Sequence, residues 1–147
     1  MSYLLHTLRT QHAVLERMAA TIESALEGES YREVSELLPR FKDALLAHLE
    51  LEEQVYPALI SAAEQFRAGR VMESTRMFQS NMVFIQRALR EFLSRWSVDL
   101  IATLSFRSEW SELIDLLETR IHAEEATLYR AYESLVERGR VVAPRGA

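Results

Sequence analysis

The stretch AHLELEEQVYP, Ala47 to Pro57, sets a histidine and a glutamate four residues apart. Residues at i and i+4 share one face of a helix. Read outward from there, Phe41, Leu45, His48, Glu52, Val55 and Leu59 recur at three- and four-residue spacing, the period of a helix with one buried face. His48 and Glu52 therefore fall on the inward side, where an unpaired charge costs several kcal/mol. A helix of this kind needs neighbours that also turn polar side chains inward.

The rest of the chain supplies them. A first helix over about residues 2–27 carries Leu5, Leu8, His12, Leu15, Ala19, Ile22 and Leu26, with Gly28 as its stop. The second runs from Ser30, a natural N-cap, to about Phe66. Pro39 and Pro57 lie within it, and each should kink or break it. The segment before Pro39 is accordingly expected as a separate short helix. A third helix, about 71–96, carries Thr75, Phe78, Met82, Ile85, Leu89, Phe92 and Trp96. After the linker SVDLIATLS, Ser105 is the expected cap of a fourth helix, about 106–137. Its stripe is Trp110, Leu113, Leu117, Arg120, Glu124, Leu128, Ala131 and Leu135. The pattern predicts an all-α, up-down-up-down four-helix bundle over residues 1–137. The tail RGRVVAPRGA, residues 138–147, has no apolar period and is expected to be flexible.

Composition agrees. The 147 residues include 4 Gly and 3 Pro, too few turn-formers for an all-β fold. A net charge of -5 without a basic run argues against nucleic acid. The absence of cysteine excludes thiolate ligands and nucleophiles. No apolar run has the length of a membrane span, and the start MSYLLHTLRTQH has no signal-peptide pattern. A cytoplasmic protein is expected, with no membrane partner. The sequence leaves homo-oligomerisation open and names no protein partner.

His12, His48, Glu52, Arg120 and Glu124 interrupt the inward stripes on three helices, and helical rise allows them one layer near mid-bundle. His122, in the second notable stretch RIHAEEATLYR (Arg120 to Arg130), lies about 200° from Arg120 and shares the face of Asp115, Glu118 and Thr119. It reads as a surface histidine, and Glu125 as peripheral. A phosphotransfer role for His48 fails, because LELEE surrounds it with carboxylates where a phosphoryl group needs cations.

These motifs resemble the hemerythrin-like, or HHE cation-binding, family over about Leu4 to Leu135. The family's bundle holds two irons through a histidine from each helix and a glutamate four residues later on the second and fourth. The resemblance makes His12, His48, Glu52 and Glu124 the metal-ligand positions here. Met82 and Arg120 stand where the third- and fourth-helix histidines belong. A guanidinium repels a metal and cannot ligate it, so the resemblance implies an incomplete diiron site. The expected function is a binding or sensing module with either a metal-free ion cluster or a single ion, for which iron, zinc or manganese would suit. In the metal-free reading Arg120 lies between Glu52 and Glu124, which accounts for an arginine on an inward stripe. The lost histidines argue against an enzyme. The alternative is a working iron protein that handles dioxygen or nitric oxide.

Overall fold

The computed structural model describes residues 3–139, all in helices and the turns between them. Helices α1 (Tyr3–Glu27), α2 (Tyr31–Glu52), α3 (Val55–Gln65) and α4 (Gly69–Arg95) are followed by a short α5 (Val98–Ile101). Then come α6 (Leu104–Ala123), a π-helical turn (Glu124–Leu128), α7 (Tyr129–Tyr132) and a second π turn (Glu133–Glu137). The expected tail begins at Arg138. Arg138 and Gly139 are still helical, and residues 140–147 lie outside the described part. No helix is long and apolar enough to cross a membrane, among the described residues.

The two prolines act differently. Pro57 accompanies the expected break: α2 stops at Glu52, Glu53 and Gln54 turn, and α3 restarts with Pro57 as its third residue. A proline costs nothing there, because first-turn N–H groups have no helical partner. Pro39 does not divide α2, which runs unbroken from Tyr31 to Glu52. It sits on the exposed face, where water can take up the carbonyl it leaves unpaired. Helix α1 ends as expected beside Gly28, but the left-handed residue is Glu29, at φ 57°. Ser30 N–H donates to the Ala25 carbonyl at 2.8 Å and Glu29 N–H to Leu26 at 3.1 Å, which closes the helix end. The linker after α4 is partly helical, as α5. Thr103 caps α6 instead of Ser105, its Oγ1 accepting from the Phe106 N–H at 3.2 Å.

Helix α1 packs on α2 and α6, and α3 packs on α4, α7 and the second π turn. Phe41, Phe92, Trp96, Phe106 and Trp110 form an aromatic group joining α2, α4 and α6, with Phe41 and Trp110 edge-on at 5.3 Å. Every inward residue expected on α1 is buried.

The last helical stretch departs from its expected stripe after Glu124. In the first π turn Tyr129 N–H donates to the Glu124 carbonyl, five residues back, so one residue is added to the turn. Everything after it rotates by about 100° relative to a continuous α-helix. Leu128, Tyr129, Tyr132 and Val136 are buried, while the expected Ala131 and Leu135 are only half-buried.

Candidate metal centre

Six polar residues are buried among those described: His12, His48, Glu52, Thr75, Arg120 and Glu124. Five of them are the residues that broke the inward stripes. Their exposures of 2% for His12 and His48, 0% for Glu52, 1% for Glu124 and 8% for Arg120 put the group out of reach of bulk water. Thr75, the sixth, satisfies itself by donating to the Val71 carbonyl at 2.7 Å. His122 is exposed, as its register requires.

Helices α1 and α2 bring His12 and His48 face to face, with Nε2 atoms 3.0 Å apart. Their other ring nitrogens are occupied. His12 Nδ1 lies 2.9 Å from Glu125 Oε1 and His48 Nδ1 2.8 Å from Gln11 Oε1. Both partners are acceptors, so each Nδ1 carries a hydrogen and each ring turns its Nε2 inward. Glu52 Oε2 lies 3.2 Å from His48 Nε2, and Glu124 Oε1 lies 3.3 Å from His12 Nε2. One atom from each of these four residues falls within 4.8 Å of all the others.

Arg120 holds the opposite side of both carboxylates. Its Nε is 2.9 Å from Glu124 Oε2 and its Nη2 3.5 Å from Glu52 Oε1. Nη2 also donates to Tyr56 OH at 2.9 Å and to the Phe78 carbonyl at 3.1 Å, and the guanidinium lies over the Phe78 ring. Tyr56 in turn donates to Glu52 Oε1 at 3.1 Å. Each glutamate thus gives one oxygen to the histidine side and the other to the arginine. Helix α4 meets the layer through Phe78. Met82, at the position expected to face the centre, is buried.

Electrostatics follow from this packing. Burial alone would raise the Glu52 pKa, but hydrogen bonds from Glu124 and His48 and the charges of His48 and Arg120 hold it well below the usual carboxylate range. Glu124 moves the other way, raised by burial and by its hydrogen bond to charged Glu52. The two carboxyls share one proton. Burial lowers the His12 pKa against the opposing pull of Glu125. Burial also disfavours the Arg120 cation, yet Glu124, Tyr56 and Glu52 more than restore it. Tyr56 and Tyr129 are pushed up by burial and then by Glu52, so both are neutral phenols.

Four partners of the layer were missed by sequence reasoning. Gln11 and Glu125 each lie next to an inward residue in sequence and reach back to a histidine. Tyr56 follows Glu52 by four residues, a spacing that could have flagged it. Tyr129 could not have been placed by helical period, because the π turn sets its direction.

Paired histidines and glutamates buried at the crossing of several helices define a class, the all-helical domain with an internal layer that could hold a cation. The chain belongs to the hemerythrin family: the model for the hemerythrin HHE cation binding domain matches residues 3–136. No curated protein and no solved structure matches it.

Proposed function

We propose that this chain is a hemerythrin-like binding or sensing module, folded as an up-down-up-down four-helix bundle in the cytoplasm. In this reading it holds one metal ion through His12, His48, Glu52 and Glu124, and Arg120 stands in for a second ion. One observation carries it. With both Nδ1 atoms facing acceptors, two Nε2 lone pairs point at each other across 3.0 Å. Two bare lone pairs repel at that distance, so a cation, a proton or a metal ion, must be shared between them. Acceptors behind both rings are also the arrangement that orients histidine ligands.

The donor set fits an ion. Atoms bound to one metal at about 2.1 Å lie about 3.0–3.4 Å from their neighbours. The separations here are 3.0, 3.2 and 3.3 Å. Mixed nitrogen and oxygen donors suit iron, zinc or manganese. Arg120 supports the limit to one ion. Its charge is in place and permanent, and both carboxylates already turn one oxygen towards it. A bound ion would supply Lewis acidity, and iron would add a one-electron couple. The second pair of histidines needed for a diiron centre is replaced by Met82 and Arg120.

The test is elemental analysis of protein purified without chelator, then loading with ferrous iron, zinc or manganese under anaerobic conditions. One ion per chain, lost in His48→Ala, is the expected result. No retained ion of any kind would overturn metal binding, and two per chain would overturn the role given to Arg120.

A further inference from the structure

We infer that Tyr129 is a fifth ligand of this centre, its phenolate oxygen joining His12, His48, Glu52 and Glu124 around a hard cation such as ferric iron. The inference rests on the single-ion reading above and names a donor outside that set.

The Tyr129 hydroxyl oxygen lies 3.2 Å from His12 Nε2 and 3.2 Å from Glu52 Oε2. Those are two of the four candidate donor atoms, and the spacing equals that among the four themselves. Five electronegative atoms therefore converge. With both rings in the neutral form that ligates a metal, and apart from the proton shared by the carboxyls, the only hydrogen they can offer is that of the phenol. Such a surplus of lone pairs is the mark of a cation site.

Tyr56, the other phenol at the layer, is placed differently. Its oxygen donates to Glu52 Oε1 and accepts from Arg120, on the side away from the histidines. The difference comes from the backbone. The π turn after Ala123 inserts a residue and swings Tyr129 onto the histidine side. The ring is fixed there, fully buried, stacked on His12 at 5.5 Å and 12°, with Arg9 over it at 5.8 Å.

Charge favours the same assignment. Once the cation has also displaced the proton shared by the carboxyls to solvent, two ionised carboxylates and Arg120 sum to a single negative charge, one fewer than the carboxylates alone provide. A phenolate restores the second. In forming the bond the phenol O–H breaks, oxygen binds the cation through its own electron pair, and the proton leaves to solvent. No electron is transferred.

The experiment loads the parent chain, Tyr129→Phe and Tyr56→Phe with ferrous iron, oxidises them in air and desalts them. It reads iron content, visible absorption and resonance Raman scattering. The parent and Tyr56→Phe are expected to show a phenolate-to-iron charge-transfer band with enhanced phenolate ring modes. Tyr129→Phe should keep its iron and lose both signals. A parent that holds iron without the band, or a band that survives in Tyr129→Phe, overturns the tyrosine ligand and leaves the four-residue site standing. A parent that holds no iron overturns the site itself for this metal and the fifth ligand with it.

Discussion

Replacing Arg120 with alanine removes the one permanent cation from the buried layer. The guanidinium gives up its ion pair with Glu124 at 2.9 Å, its longer contact with Glu52, and hydrogen bonds to Tyr56 and the Phe78 carbonyl. The two carboxyls are left in a site that water does not reach. Breaking a buried ion cluster by removing one partner costs about 3–5 kcal/mol. With a urea m-value of about 2 kcal/mol per molar, the midpoint should fall by about 1.5–2.5 M. The assay is urea unfolding of chelator-treated protein, followed by the fluorescence of buried Trp110. Arg90→Ala is the control, an exposed arginine whose loss should cost under about 0.5 kcal/mol. The sign with pH is fixed by the carboxyls. Without Arg120 the folded-state pKa of Glu52 rises from its depressed value and that of Glu124 rises further above the ordinary 4.5, so the variant loses stability relative to the parent as pH climbs. The deficit of Arg120→Ala should accordingly be small at pH 5 and large at pH 8. A midpoint within about 0.3 M of the parent at pH 8 would refute the ion-cluster account. An equal deficit at both values would assign the loss to packing against Phe78 instead.

The double change Met82→His and Arg120→His puts a histidine back at each lost position, and anaerobic iron loading should rise from one ion per chain towards two. Arg120→His is expected to contribute more, because it removes a repelling charge as well as adding a donor. Glu124→Gln addresses the shared proton. Because the Glu124 pKa is raised to about 10, the unfolded chain ionises it above 4.5 while the folded chain keeps the proton, so parent stability declines across pH 5 to 8 and that of the apo-variant should decline less in urea. Gln11→Ala and Glu125→Ala free one Nδ1 each, and each should weaken zinc binding about 10- to 100-fold by titration calorimetry while leaving helicity unchanged.

The all-helical fold and the buried polar layer were legible because burial writes itself into a three- and four-residue period. His12, His48, Glu52, Arg120 and Glu124 stood out against apolar neighbours on each stripe, and the same period turned His122 outward. What was not legible depended on departures from that period or on its surroundings. Pro39 looked like a break because sequence alone does not say that its missing hydrogen bond faces water. Thr103 and Ser105 are equivalent caps on paper, and only the path of α5 selects Thr103. Tyr129 and the boundary of the inward stripe after Glu124 were out of reach for a single reason, the extra residue in the π turn. Gln11 and Glu125 were missed because they sit beside the stripe and reach inward from its edge.

The two π turns also change what the end of the chain can tolerate in length. In an ordinary α-helix a deleted residue is a mistake of register. Between Glu124 and Leu128 the register already contains a surplus residue, so a deletion of Ala126 would convert the turn to α-helix and leave the rest of the segment facing as it does. Tyr129, Tyr132 and Val136 would stay inward, whereas an α-helical turn at the present length would bring Ala131 and Leu135 inward and take Tyr129 away from the histidines. The π turn is therefore a place where the chain could lose a residue without losing the phenol from the layer.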